Sequence, residues 1–198
     1  FAFFENLLRP TELPPEAAPP KGVAAFYWHH VRQIKALLIA LFVIGSVTAV
    51  LDASIPVFIG RVVSILTALK PETGLAEAWP QLVAMAAVLL VFKPGLEAIQ
   101  DMLTNQAINP GFSNMVRWQN HWHVVRQSWS FFQNDFAGRI ANRVMQTGPS
   151  LRESVVSGIN AIWYILVYGS IALALLAARD ARLAIPVTLW FLTYALTL

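Results

Sequence analysis

Long uncharged runs constrain this chain more than any other feature. Residues 36–51 carry no charge and are mostly apolar, and similar runs recur at 81–92, 159–178 and 183–198. The hydrocarbon core of a bilayer is ~30 Å thick, and a helix of about 20 apolar residues crosses it. The chain is 57% hydrophobic and 13% charged, against about 25% charged residues in soluble domains. The sequence therefore predicts an all-α membrane protein.

The polar segments divide this chain into spans and extensions. Spans are predicted near 34–66, 80–103, 158–178 and 183–198. Residues 1–22 are expected to form a surface helix with its aromatic side chains at the headgroups, followed by a proline-rich linker. Residues 104–157 are too polar to cross, yet they keep an amphipathic helical rhythm. We interpret this region as helices that extend into one aqueous compartment. Because the last run is short for a crossing, we expect the protein to be longer than this chain.

Several local features accompany the spans. The first span would be about 50 Å long as a straight helix, so it must leave the bilayer or kink at Pro56. Lys93, Glu97 and Asp101 share one helical face and should avoid lipid, where a central charge costs ~2.5 to 3.5 kcal/mol. A bend is predicted at Pro94–Gly95, a loop at 70–80 and a tight turn at 179–182.

Basic residues are distributed unevenly between the two sides of the predicted membrane. One side holds Lys70, Arg179 and Arg182. The other side, with the N-terminus and residues 104–157, holds Arg9, Lys21, Arg32, Lys35, Arg117, Arg126, Arg139, Arg143 and Arg152. The positive-inside rule makes the richer side cytoplasmic. Because the basic residues are scattered, nucleic acid is not an expected partner.

The histidines do not have the spacing of a metal site. No carboxylate stands at ligand spacing from His29 and His30, and His121 and His123 would point to different sides of a helix. We expect His29 and His30 to be interfacial side chains beside an aromatic belt. The chain has no cysteine, which excludes disulfides and thiolate ligands.

The segment 127–145 is the most polar and most patterned part of the chain. Its aromatic residues alternate with polar ones, which suits a short docking element with a large contact area. The Asn134–Asp135 pair favours a turn or a helix cap, and Gly138 is expected to let the chain change direction. The aromatic residues are Trp129, Phe131, Phe132 and Phe136.

The pattern Phe131-Phe132, Gly138, Ile140 and Arg143 resembles the first intracellular loop of ATP-binding cassette (ABC) exporters. Thr147 stands where that family usually has an aspartate. The resemblance implies that this segment is the coupling helix, which docks in a groove of the nucleotide-binding domain. The residues it assigns to this role are Trp129, Phe131, Phe132, Asn134, Asp135, Phe136, Gly138 and Arg143.

The order of spans, extensions and docking element also resembles the first part of an ABC exporter transmembrane domain. The resemblance implies six spans per subunit, a dimer with a second copy or a paralogue, and alternating access driven by ATP and Mg²⁺ on a nucleotide-binding domain. The sequence has no G-x-x-x-x-G-K-[ST] motif, so we expect that domain to be absent from this chain. The expected location is a bacterial inner membrane, with the N-terminus cytoplasmic.

Asp52, Trp163, Tyr164 and Tyr168 are candidates for the substrate path. The aromatic residues could equally pack between helices, and Asp52 could equally be the structural partner of Lys93 or Arg61. Two other functions stay open. One is a membrane-embedded enzyme that uses the histidines with Asp101 or Asp135 as acid and base. The other is a structural membrane subunit without a coupled ATPase.

Overall fold

A computed structural model of the chain describes residues 2–12, 20–68 and 74–197. Every regular element in these ranges is helical, which confirms the all-α prediction for them. In chain order the elements are α1 (Ala2–Glu5), α2 (Val23–Val31), a 3₁₀ turn (Arg32–Ile34), α3 (Lys35–Ala68), α4 (Gly74–Ala87), a π turn (Val88–Phe92), α5 (Lys93–Met102), a π turn (Leu103–Ile108), α6 (Asn109–Val124), α7 (Trp129–Gln133), α8 (Ala137–Trp163), a π turn (Tyr164–Tyr168), α9 (Gly169–Arg179) and α10 (Ala181–Thr197).

Among the described residues, three stretches of continuous helix are long and apolar enough to cross a membrane. They run over Val23–Thr67, Ala78–Val124 and Ala137–Arg179, and each is more than 40 residues long. A crossing takes about 20 residues, so each stretch is long enough to extend beyond the hydrocarbon core. A shorter apolar helix covers Ala181–Thr193. Apolar side chains such as Leu90 and Val91 are exposed along these stretches.

Two of the π turns directly precede prolines. The turn Val88–Phe92 ends just before Pro94, and there the Lys93 N–H donates to the Val88 carbonyl, five residues back. The turn Leu103–Ile108 ends just before Pro110. Proline has no N–H and its ring collides with the carbonyl four residues back, and a wider turn relieves that collision. A π turn that ends at Phe92 therefore lies immediately before Pro94–Gly95, where the sequence predicts a bend.

The predicted loop at 70–80 is wrong for its second half. Helix α4 already begins at Gly74, because Leu, Ala and Glu in this stretch are good helix formers. Residues 69–73 lie outside the described part of the chain, as do residues 13–19 of the predicted linker. The linker ends at Gly22, whose φ of 101° is open to glycine at little cost.

The described residues fall into two units, and the first comprises Phe1–Phe42 and Ala98–Ile159. Its core includes Leu41, Ile108, Phe112 and Val116, all fully buried. Helices α6 and α8 pack closely there. Their backbones are so near each other that a Cβ added at Gly148 would collide with the Ser113 backbone carbonyl. Near the N-terminus, α1 packs against Leu103–Ile108.

The same unit contains a polar pair in which Gln119 is buried and Gln33 is half-buried. The side-chain amides of Gln33 and Gln119 donate to each other's oxygens at 3.2 and 2.7 Å. Gln33 also donates to the His29 carbonyl at 3.0 Å. This reciprocal pairing satisfies polar groups that burial would otherwise penalise.

The second unit comprises Val43–Glu97 and Asn160–Leu198. Helices α9 and α10 pack as a hairpin, in which a Cβ at Gly169 would lie 3.3 Å from the Phe191 ring. The turn between them is Asp180 alone. Its carboxylate accepts from the Arg182 N–H at 2.9 Å, and its carbonyl accepts from the Leu183 N–H at 2.9 Å. The tight turn predicted at 179–182 is therefore confirmed.

Candidate functional site

A short helix joins the two long stretches that end at Val124 and begin at Ala137. Ser128 precedes α7 in an extended conformation, and its hydroxyl lies 2.8 Å from that of Ser130. Asn134 ends the helix, and its N–H donates to the Ser130 carbonyl at 3.2 Å. The turn or cap predicted for the Asn134–Asp135 pair therefore lies where the sequence places it.

Asp135 lies between α7 and α8 and pairs with the start of α8. Its Oδ1 accepts from the Phe136 N–H at 2.8 Å and lies 3.2 Å from Arg139 Nε. Its Oδ2 lies 3.7 Å from Arg143 Nη1. The Asp135 side chain is only 18% exposed, and its charge also suits the N-terminal end of α8. Arg143 therefore has an acidic partner within this chain, one helical turn beyond Arg139.

Gly138 is not the point at which the chain turns. The change of direction occurs at 134–136, and Gly138 lies inside the first turn of α8 without a positive φ. A Cβ added there would meet nothing within 4 Å. The prediction that Gly138 lets the chain change direction is therefore wrong. Asn134 and Asp135 make the turn with ordinary backbone angles.

The four aromatic residues differ in their availability to a partner. Trp129 and Phe136 are 76% and 75% exposed, whereas Phe131 and Phe132 are 38% and 39% exposed. The rings of Phe131 and Phe132 pack edge to face, with centroids 5.4 Å apart. The Arg139 guanidinium lies 5.4 Å from the centre of the Phe136 ring, within cation–π range. We call Trp129, Phe131, Phe132 and Phe136 the aromatic surface.

Thr147 hydrogen-bonds within its own helix. Its hydroxyl donates to the Arg143 carbonyl at 2.6 Å. Both residues line a depression of about 310 Å³ on the first unit, together with Tyr27 and Ser150. The Tyr27 hydroxyl donates to Ser154 at 3.3 Å near this depression. At this position the chain thus offers a hydroxyl in place of the acid that the resemblance leads one to expect.

The acid of the first long helix is paired. Asp52 lies 3.2 Å from Lys93 Nζ, which also donates to Glu97 at 2.5 Å. Of the two partners that the sequence allows for Asp52, the structure selects Lys93. The ion pairs of Asp52 and Glu97 with Lys93 give these three charged side chains a structural role within the second unit.

A cavity of about 760 Å³ lies in the second unit, between α3 and the helix that carries Tyr168. Tyr168 lines it, whereas Asp52 does not, although its neighbour Ala53 does. The side chains of Trp163 and Tyr164 lie outside the described part of the chain. The structure therefore places one of the candidate substrate-path residues at a cavity wall.

Sequence reasoning did not identify the charged members of this cavity. Arg61 and Arg179 both line it, as does Ser64. Arg61 itself could have indicated this site, because a charged residue within an apolar segment is a candidate functional residue. Arg179 was assigned only to a turn, because its proximity to α3 depends on tertiary packing.

The expectation that His29 and His30 are interfacial is wrong. The two side chains are buried, at 4% and 1% exposure. His30 Nδ1 lies 2.9 Å from the Phe26 carbonyl, and its ring packs on the Phe26 ring. Packing within the first unit encloses them. Within the described ranges, no group of three or more histidine and carboxylate side chains could hold a metal ion.

The helices and the exposed element between them define a helical membrane protein. No family model matches this chain, and no solved structure matches it. The chain is 31% identical over 202 residues to an "Uncharacterized ABC transporter ATP-binding protein" of Haemophilus influenzae. The match covers 100% of this chain and 32% of the relative, so the chain spans about a third of the length of that curated protein. The similarity indicates a transporter-related role.

Proposed function

We propose that this chain forms the first part of the transmembrane domain of an ABC exporter, and that the aromatic surface couples it to a nucleotide-binding domain. The observation that carries the proposal is the 31% identity along the whole chain to a protein described as an ABC transporter ATP-binding protein. This chain has no phosphate-binding loop motif. ATP and Mg²⁺ would therefore bind to a domain outside it.

The geometry at α7 supports a docking role. A short helix presents exposed rings between two long helices, and Asp135 fixes its exit into α8 through two arginines. Large aromatic side chains are common anchors of protein interfaces. A rigid junction lets a displacement of the docked helix pass into α8, whereas a flexible loop would absorb it.

The proposed mechanism is alternating access. Closure of two ATP-bound domains moves the docked aromatic surface, and the long helices carry that motion into the membrane. The second transmembrane domain comes from another copy or a paralogue. Exposed apolar side chains such as Leu90 and Trp190 are then available to lipid and to further helices. The expected setting is the bacterial inner membrane, with the aromatic surface and the N-terminus in the cytoplasm.

The enzyme alternative lacks a comparable observation. His29 and His30 are buried against their own helix, and Asp135 is held by two arginines. A general acid or base must reach its substrate within hydrogen-bond distance. A structural subunit without a coupled ATPase remains an outcome of the following test.

The test follows an ATP-driven change in the membrane domain with a cysteine reporter. In the full-length protein that carries this chain, made free of other cysteines, Ser64→Cys places a thiol at the wall of the 760 Å³ cavity. ATP with vanadate should change its rate of labelling by a membrane-impermeant maleimide. In the Trp129→Ala/Phe136→Ala background, ATP hydrolysis should persist but the change in labelling should disappear.

Trp79→Ala is the matched control, because Trp79 is also strongly exposed but lies in α4. It should keep the ATP-dependent change. Absence of ATP hydrolysis from the full-length protein would favour the structural subunit. A full labelling change in the double variant would remove the coupling role from the aromatic surface.

A further inference from the structure

The cavity in the second unit combines an apolar wall with two arginines. Val57, Ala172 and Leu175 form part of the wall, and Arg61 and Arg179 line the same space. Its volume of about 760 Å³ lies within the ~300 to 1,000 Å³ of small-molecule sites. The cavity is therefore large enough for a ligand and is amphipathic.

The two arginines bring positive charge to this cavity. In the part of the chain that the structure describes, neither Arg61 nor Arg179 forms an ion pair. Lys93, by contrast, is paired with two acids. A guanidinium remains charged at any physiological pH and suits phosphate or carboxylate oxygens, which it can bind through two parallel hydrogen bonds.

The arrangement of these groups along the helices separates charge from apolar surface. Arg61 follows Pro56 and Val57 on α3, and Arg179 is the last residue of α9, after Ala172 and Leu175. In the proposed topology both arginines lie towards the extracytoplasmic ends of their helices. The apolar residues that line the cavity lie deeper along the same helices.

We propose that this cavity binds a single-chain anionic amphiphile, with its headgroup on Arg61 and Arg179 and its chain along Val57, Ala172 and Leu175. Charge complementarity selects an anion, and the apolar wall selects a hydrocarbon tail. A cation would meet two like charges, and a neutral amphiphile would leave both guanidinium groups unpaired. The inference rests on the proposed function for the role of this molecule as cargo, whereas binding itself requires no ATP.

The experiment uses the full-length protein in phosphatidylcholine nanodiscs without nucleotide. The probes are a photoactivatable hexadecyl phosphate and a hexadecanol with the same photoactivatable chain. Mass spectrometry locates the labelled peptides. The alkyl phosphate should label peptides that contain Val57 or Ala172 in a saturable manner, and the alcohol should label them about tenfold less, as expected from the loss of a charge-assisted hydrogen bond.

The variants separate headgroup recognition from general insertion into the membrane. Arg61→Gln and Arg179→Gln should each reduce labelling by the alkyl phosphate by about tenfold. Arg182→Gln is the matched control, because Arg182 lies three residues beyond Arg179 but does not line the cavity. It should leave labelling unchanged. Equal labelling by both probes, or full labelling in Arg61→Gln, would overturn the proposal.

Another helix is the competing occupant of this surface. Ser64 replaced by benzoylphenylalanine would then crosslink to protein, and the alkyl phosphate would not label the cavity, which would also overturn the proposal. Failure here with a persistent ATP-dependent change at Ser64→Cys would leave the proposed function intact. Labelling by the phosphate probe without any ATP-dependent change would contradict the proposed coupling but support the binding site.

Discussion

Asp135 Oδ1 lies 3.2 Å from Arg139 Nε, across the point where α7 gives way to α8. The same carboxylate group reaches Arg143 and the Phe136 N–H. One acidic side chain thus ties the segment between α7 and α8 to the first two turns of α8. The segment that this carboxylate holds lies between the exposed side chain of Trp129 and α8, and it leads directly into the exposed ring of Phe136.

Asp135→Asn should loosen the junction without unfolding the protein. Asparagine keeps an acceptor for the Phe136 N–H but loses both ion pairs, each contributing ~0.2 to 1 kcal/mol at such exposure. Hydrogen exchange of amides at 129–136 should therefore rise about two- to fivefold. Glu153→Gln, which removes an exposed ion pair with Arg152, is the control and should leave these amides unchanged. Unaltered exchange in Asp135→Asn would show that the ion pairs do not hold α7.

Alanine should have opposite effects at two glycines of α8. Gly138→Ala adds a methyl group in open space and should stabilise the helix by ~0.5 to 1 kcal/mol. Gly148→Ala forces the helix away from the Ser113 carbonyl and should destabilise the protein by ~1 to 3 kcal/mol. Thermal unfolding in detergent measures both. A lower melting temperature for Gly138→Ala would restore the glycine requirement predicted from the sequence.

The Gln33–Gln119 pair should show strong energetic coupling. Gln33→Leu leaves a buried amide on Gln119 without its partner, which costs ~1 to 3 kcal/mol. The double variant Gln33→Leu/Gln119→Leu removes both amides and should be less destabilised than the sum of the single changes. A double-mutant cycle on melting temperatures tests this. Strict additivity would mean that the two amides do not depend on each other.

Lys93 should matter for stability through Asp52 and Glu97. Lys93→Met leaves two acids without their cation, and a loss on the order of 1 kcal/mol or more is expected after allowance for partial exposure. Asp52→Asn in the same protein should recover part of that loss. Melting temperatures of the single and double variants measure the loss of stability and its recovery. A further fall in the double variant would show that Asp52 has another role.

Much of the architecture could be predicted because lipid imposes a simple composition rule. The uncharged runs predict helices, and the aromatic-polar pattern after Gln127 predicts a separate short element. Residues 78–124 and 137–179 form the continuous helices that the amphipathic rhythm of 104–157 suggests. These predictions depend only on the composition and order of residues within each segment, which can be read from the sequence.

The errors concern features that tertiary packing decides. His29 and His30 are basic and adjacent to aromatic residues, so composition suggests an interface, but packing within the first unit buries them. Glycine permits unusual backbone angles, so the sequence suggests that the chain turns at Gly138. The turn instead occurs at Asn134, which has ordinary backbone angles. The joint placement of Arg61 and Arg179 at one cavity arises from a packing between helices that no local pattern encodes.

Crosslinking tests directly whether the aromatic surface contacts a nucleotide-binding domain, as we propose. In the full-length protein, benzoylphenylalanine replaces Phe136, which is 75% exposed on the aromatic surface. The matched control replaces Phe92, an exposed phenylalanine of the apolar turn Val88–Phe92. After irradiation in native membranes, position 136 should crosslink to a peptide of the nucleotide-binding domain, and position 92 should not. Crosslinks from position 136 only to lipid or to other segments of the membrane domain would contradict the account.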